Sequence, residues 1–410
     1  MKQETKRTIL LIGILVIGLG LGNTISWVLT PNHKPPSPPT PYPRWNSPKL
    51  KGHKVQYGFI TPFTASLEYY TPFVEEIIMA DMNTYAGKLG YDVEFQFLID
   101  NADGQYAGHL EKVQGFKSMD ITLLIGGFWE NQAQASLAYL NDNDMIMISP
   151  NSRTNYLSIP DNLYRTSPPI FAQSKVLGYL AEKIKLESSI IVHERKDLGH
   201  FVWSETGVVV YNDQVYSSLD LNVSVIQNIA NIKESVGIHF DSVSLLEEFL
   251  EEVDKYPGLA NHTWILSDHP VNLDDLDQKH HETISKLDIY IVSLSPVWSD
   301  PFFSIKDRYV EYTEREFDYY AAGTYDAAYM MMFGTLQTQS HRARNVKEIL
   351  PDISDNFFGA SGWTKFDENG DRKYCDYTIY RFDEAGEPIL VGKLDGISDT
   401  FYWFENEKED

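Results

Sequence analysis

The chain has 410 residues, with 34 Lys and Arg against 58 Asp and Glu, for a formal net charge of −24 at pH 7. That charge repels phosphate backbones and excludes nucleic acid as an expected partner. The composition, 43% hydrophobic and 22% charged, is that of a folded chain, and the single cysteine, Cys375, excludes an internal disulfide and a cysteine-based zinc site.

Lys2, Lys6 and Arg7 precede an uncharged run, TILLIGILVIGLGLGNTISWVLT, over residues 8–30. A helix over this run is long enough to cross a bilayer, and the basic flank favours an N-in orientation with the body outside the cytoplasm. A cleaved signal peptide is the alternative, but no small-x-small cleavage site follows the run. The expectation is a membrane anchor or uncleaved signal over 1–30. The proline-rich stretch PNHKPPSPPTPYP then opens an extended linker over 31–53. Asn222 (Asn-Val-Ser) and Asn261 (Asn-His-Thr) are N-glycosylation sequons, consistent with a body outside the cell.

From Lys54 the pattern alternates between strand and helix. KVQYGFI reads as a strand, FVEEIIMADMNTYAG as an amphipathic helix, and DVEFQFLID as a strand. QYAGHLEKVQGFKSM is helical, ITLLIGG a buried strand, NQAQASLAYLNDND a helix, and MIMISP a short strand. The order restarts with the helix FAQSKVLGYLAEKI, the strand SSIIVHE, the helix SVSLLEEFLEEVDKY and the strands HTWILSD and LDIYIVSLSP. TYDAAYMMMFGTLQTQ is a helix, and YTIYRFD with PILVGKLDG forms a hairpin. Repeated β-α order predicts parallel α/β sheets. Two such series in one chain predict two lobes, with ligands beyond the carboxyl ends of the strands.

The motifs of catalysis are missing their spacing. VHERKDLGH holds His-Glu, but its second histidine comes seven residues after the first, where HExxH needs four. KHHET places two histidines side by side, as on an ordinary surface, and GASG lacks the five-residue nucleophile elbow. No GxxxxGK[ST] occurs. The expectation is a protein without catalytic residues, cofactor or bound metal.

Four stretches, in order, resemble the type I periplasmic solute-binding proteins, the branched-chain amino-acid and amide-binding group that feeds ABC importers. They are VQYGFITPFTAS, LLIGGFWENQAQASLAYLNDNDMIMISPNSRT, AGTYDAAYMM and SGWTKFDENGDR with YTIYRF. The resemblance spans residues 54–396. It implies a two-lobed fold, each lobe a parallel sheet flanked by helices, joined by three crossovers near Pro168, Pro296 and Gly359. Lobe 1 would take 54–167 and 296–358, lobe 2 would take 168–295 and 359–403, and 404–410 would be an acidic tail. It also implies ABC permease subunits as partners and a small polar solute as ligand: an amino acid, amide, amine or short peptide. A receptor or sensor ectodomain of the same fold is the alternative, and an extracellular hydrolase a more distant one.

The stretch FDENGDR looks at first like a calcium loop. Counted from Asp367, its glycine falls at position 4 and position 12 is Thr378, whereas an EF-hand needs Gly at 6 and Glu at 12. A tight turn with positive φ at both Asn369 and Gly370 is the expectation instead.

The resemblance places the solute against the loops that follow the strands. Glu130 stands where the family has a serine; it either repels a carboxylate and favours a cation, or caps its own helix. Asn131 follows it. Asn151, Ser152 and Arg153 come after ISP, and Arg153 either grips a carboxylate as a fork or pairs with Glu130. Leu198 replaces the family's usual tyrosine in the first loop of lobe 2, and Asp268 falls where the family's ammonium-binding acid is expected. Tyr69, Tyr70, Phe128 and Trp129 lie at the cleft edge, as stacking platforms or as core.

Overall fold

The computed structural model describes residues 50–193, 206, 208–267, 273–383 and 385–404. The expected anchor, linker residues 31–49 and tail residues 405–410 lie outside the described residues. No helix among the described residues is long and apolar enough to cross a membrane.

The first sheet has five parallel strands: β1 (His53–Thr61), β2 (Val93–Asn101), β3 (Leu123–Ile125), β4 (Ile146–Ser149) and β5 (Leu163–Arg165), in the order β2-β1-β3-β4-β5. Side chains alternate across it. Val55, Tyr57 and Phe59 of β1 enter one core with Leu123, Ile125, Ile146 and Ile148. Ile60, Leu124 and Met147 enter a second core on the opposite face. A sheet covered on both faces reads as a continuous apolar run, which is why ITLLIGG and MIMISP are legible as strands.

The second sheet repeats that order. β6 (Ser188–His193), β7 (Val209–Ser217), β8 (Gly237–Phe240), β9 (Thr263–Ser267) and β10 (Asp288–Ser295) lie parallel as β7-β6-β8-β9-β10. Ile190, Val192, Phe240, Trp264 and Ile291 fill a core on one face; Ile191, Ile265, Tyr290 and Val292 fill another. After a short pair, β11 (Phe358–Gly359) and β12 (Gly362–Trp363), the chain adds β13 (Asp376–Phe382), β14 (Pro388–Asp395) and β15 (Thr400–Trp403) antiparallel beside β10. The second sheet is therefore mixed rather than purely parallel. Both halves are three-layered α/β units, and the architecture is the two-lobed one expected.

Helix Tyr319–Thr338 is apolar on nearly every side and buried in the first lobe's core. Asp318 caps it, its carboxylate accepting from the Ala321 N–H at 2.7 Å. Phe302, Ile305 and Tyr309 of helix Asp300–Thr313 join the same core. So do Ala360 and Phe366, which keeps the chain with the first sheet past Gly359. The passage into the second sheet comes between Arg372 and Asp376, later than the sequence suggested.

That passage is built on buried charge. Arg165, at the end of β5, donates from Nε to the Asp371 carboxylate, and its backbone N–H donates to the Gly370 carbonyl at 2.9 Å. Both side chains of the pair are essentially inaccessible. Arg372 donates to the Thr166 carbonyl at 3.2 Å and from Nη2 to the Ser361 carbonyl at 2.8 Å. Ser361 and Ala360 in turn donate to the Asp326 carboxylate. A Cβ at Gly362 would come within 2.6 Å of Val297, so the chain passage after β10 lies against the same node.

FDENGDR is a turn that presents Asp371 to Arg165. The Asp367 carboxylate accepts the N–H groups of Asn369 (2.8 Å) and Asp371 (3.0 Å), and Gly370 N–H closes back on the Asp367 carbonyl at 3.1 Å. Gly370 alone takes positive φ, +81°. This is a turn followed by one left-handed residue rather than the two-residue form expected.

Removing one partner of a buried ion pair strands the other. Asp371→Ala is expected to cost about 3–5 kcal/mol, read as a lower urea midpoint. A loss below about 1 kcal/mol would show that the pair does not hold the passage.

Candidate functional site

In a 2-1-3-4-5 sheet the crevice opens where the order reverses, between the first and third strands. In the first lobe that point lies between Thr61 of β1 and Ile125 of β3; in the second it lies between His193 of β6 and Phe240 of β8.

The first lobe's wall is held by one chain of hydrogen bonds. Gly127 takes φ +63°, and a Cβ there would come within 2.7 Å of Met147, so only glycine makes this turn freely. Its N–H donates to His109 Nε2 at 2.9 Å. That nitrogen must therefore be the acceptor, leaving Nδ1–H to donate to Ser136 Oγ at 2.7 Å. Burial pushes His109 down to about 3. On its other side Gly127 offers its carbonyl to Ser149 Oγ at 2.8 Å, and Ser149 Oγ accepts the Ser152 N–H at 3.0 Å. The loops after β3 and β4 are thus fixed to each other.

The loop after β1 joins through two contacts. Phe63 stacks on Trp129, with ring centroids 5.7 Å apart at 27°, and Gln132 Nε2 donates to the Pro62 carbonyl at 2.9 Å. Trp129 is the N-cap of helix Glu130–Asp142, which places Glu130 in its first turn. Asn131 is exposed and Asn151 half-buried, whereas Ser152 and Arg153 are buried.

Arg153 donates from Nε to the Pro168 carbonyl at 3.0 Å, and its own carbonyl accepts the Ile170 N–H at 2.7 Å. Burial opposes its charge, but Tyr320, Tyr377, Cys375 and Tyr319 around it outweigh burial and hold its pKa above the ordinary value. Burial raises the Tyr320 pKa, and the charges of Arg153 and Glu130 both act on its hydroxyl, Arg153 lowering it and Glu130 raising it. Both charged residues read from the sequence therefore converge on one tyrosine.

The aromatic candidates divide. Tyr70 and Phe128 are buried, packed on each other at 4.9 Å and on Phe59, and belong to the core. Tyr69 is half-buried, with the Arg315 guanidinium 4.1 Å over its ring. Leu198 and Asp268 lie outside the described residues. Asn222 and Asn261 are exposed, and the Asn222 side chain also caps helix Val223–Ala230, accepting from Ser224 N at 3.0 Å.

In the second lobe His193 and His239 are buried near the ends of β6 and β8, and His239 Nε2 meets Ser267 Oγ of β9 at 2.7 Å. Burial first, then His193, pulls His239 down to about 3. Sequence reasoning missed His109, Gln132, His239 and Tyr320. The available signal was a polar residue inside an otherwise apolar segment, as His239 is in GIHF. An open groove of about 470 Å3 runs along helix Ser174–Ile184 to Leu186 and Val208, at the amino ends of β6 and β7, so it is not this site. Among the described residues no group of three or more His, Cys, Asp or Glu could hold a metal ion.

A neutral buried histidine weakens a fold in acid, because the unfolded chain takes up the proton that the folded one refuses. Between about 6.5 and 3, stability falls by about 1.4 kcal/mol per pH unit for each such group. His109→Gln removes this dependence. The stability gap between wild type and variant, from denaturant titrations, is expected to be about 2 kcal/mol smaller at pH 5 than at pH 7. A gap constant with pH would refute the neutral assignment.

The family model described as "Receptor family ligand binding region" matches residues 78–385. Among solved structures, the branched-chain amino acid transporter substrate-binding protein LivJ of Streptococcus pneumoniae, in complex with isoleucine, is 16% identical with a TM-score of 0.66, over 83% of this chain and 99% of that one. An ABC transporter substrate-binding protein of Desulfitobacterium hafniense, in complex with Leu, is 16% identical with a TM-score of 0.65, over 83% and 100%. A solute-binding protein of R. palustris, in complex with benzoate, is 15% identical with a TM-score of 0.61, over 83% and 96%. No curated protein matches the chain.

Proposed function

Because this chain belongs to the receptor family of ligand-binding regions, and has the type I periplasmic-binding fold, we propose that it is an extracytoplasmic solute-binding protein. It captures a small polar solute between its lobes, tethered by the N-terminal run, and delivers it to an ABC permease. The observation that carries this reading is the repeated strand order: each lobe has its own switch point, and buried polar side chains lie near the strand ends of each, Ser152 and Arg153 after β4 in one and His193 and His239 on β6 and β8 in the other. Closure follows when a solute bonds to both walls only in the shut state. The isoleucine, leucine and benzoate complexes of its structural neighbours support a solute of that size and a binding rather than catalytic role.

The description of the matched family favours a second reading, a receptor or sensor ectodomain that uses the same closure without transport. Uptake separates the two, since a transporter component is required for cells to accumulate labelled solute and a sensor is not.

The test is thermal-shift screening of the full-length protein against amino acids, amides, amines, aromatic acids and short peptides, with small-angle scattering on any hit. At least one solute is expected to raise the Tm and reduce the radius of gyration, without product. No hit across the panel, or turnover of a hit, would reject solute capture.

A further inference from the structure

The two sheets point their carboxyl ends at the same seam. β5 ends at Arg165, and the chain then enters helix Ser174–Ile184, which packs in the second lobe. β10 ends at Ser295, and the chain returns to helix Asp300–Thr313 in the first. The passages therefore gather at β5 of one sheet and β10 of the other. β2 and β7 stand at the far end of each five-strand order, four places away, or roughly 19 Å at the usual strand spacing. The loops after β2 and β7 are thus the two lips of the seam, at its rim furthest from the passages.

Both lips carry exposed apolar side chains. Tyr106 opens helix Tyr106–Ser118 after β2 and is 59% exposed; Val223 opens helix Val223–Ala230 at the matching place after β7 and is 58% exposed. Leu219, in the turn after β7, is 94% exposed, more than any other large apolar side chain among the described residues. The turn does not call for a leucine. Asp220 N–H donates to the Ser217 carbonyl at 2.8 Å, and the Asp220 carboxylate accepts from the Ser217 N–H at 3.1 Å and hydroxyl at 2.6 Å, so a polar residue between them would serve as well. The first lip is equally fixed: Ala102 and Gly104 donate to the Thr61 and Pro62 carbonyls at 3.0 and 2.9 Å, and Asp103 accepts from Thr64 Oγ1. Single exposed apolar residues are ordinary, but three on two braced, facing lips make a pair of surfaces that can cover each other.

We propose that Tyr106 on one lip and Leu219 with Val223 on the other form an apolar clasp, which meets only when the lobes shut and helps to hold them shut. This rests on the closure assumed in the solute-binding reading and goes beyond it, because the protein itself, and not the solute alone, then favours the shut state. The driving force is removal of apolar surface from water, and covering one leucine against a tyrosine shifts a closing equilibrium on the order of tenfold. Placed at the rim, the clasp touches no solute. It lengthens the stay of whatever is caught by slowing the reopening of the lobes.

Cross-linking of the full-length protein tests this without a solute. Gln105 and Ser218 are exposed neighbours of the clasp residues, so Gln105→Cys with Ser218→Cys sets a thiol on each lip and leaves the clasp intact. A short bis-maleimide is added, and the linked peptide is followed by mass spectrometry. Leu89→Cys with Ser218→Cys is the control, since Leu89 is exposed just before β2, at the amino end of the first sheet. The lip pair is expected to link at least tenfold faster than the control. Adding Leu219→Ser or Tyr106→Ser is expected to slow that linking at least fivefold; both positions are exposed, so neither change threatens the fold. Linking no faster than the control would overturn the proposal. So would linking that neither serine variant slows, which would make the lips neighbours that do not hold each other. A solute that reduces the radius of gyration while the lips stay unlinked would sink the clasp and leave solute capture standing. Clasp-dependent linking in a protein that no solute of the panel shifts would do the reverse.

Discussion

One buried ion pair sets the terms for the rest of the molecule. Arg165 reaches Asp371 across 206 residues of sequence, and so pins the first chain passage between the lobes to the last. The same guanidinium donates from Nη1 to the carbonyls of Thr154 (2.8 Å) and Ser152 (3.3 Å) and from Nη2 to Ser158 Oγ at 2.8 Å. The loop that carries Ser152 and Arg153 is therefore ordered by a residue whose charge is balanced in the passage. A charge so deeply buried is tolerable only when each donor has an acceptor, and here four bonds surround it. Site and passage are coupled through one side chain.

The polar interior of the first lobe continues from there without interruption. Ser149, Gly127, His109 and Ser136 hand hydrogen bonds from loop to loop beneath the site, while Asp326, Ser361 and Arg372 do the same beneath the passage. Burial pushes the Asp326 carboxyl up to about 6, against the pull of its Ser361 hydrogen bonds. These networks lie in a shell whose remaining contacts are apolar, so directional bonds rather than packing alone fix the loop geometry.

The fold was legible where the period of the pattern is strong. From Lys54 onward, every strand and helix quoted from the sequence is present among the described residues, because sheets covered on both faces demand unbroken apolar runs and their helices demand stripes. β7 was not legible: Asn212 and Asp213, both at positive φ, interrupt it and read as a turn. β8 is only four residues long, with a glycine and a histidine among them. The candidate site was legible only as a set of loops. Motif order located the loops of Glu130, Ser152 and Arg153, but the partners that position them, His109 and Tyr320, are distant in sequence and carry no local signature. Phe128 and Tyr70 stayed open between platform and core because an aromatic next to a loop has the same letter whether it faces solvent or core; both are core.

The last passage also holds the chain's lone thiol. Cys375 is buried there among Tyr377, Arg372 and Arg153, and desolvation raises its pKa. A thiol so placed is sluggish towards alkylating reagents. Its labelling rate with a maleimide thus gives an intrinsic stopwatch for the opening of the core around it, with no engineered residue and no competing thiol in the chain.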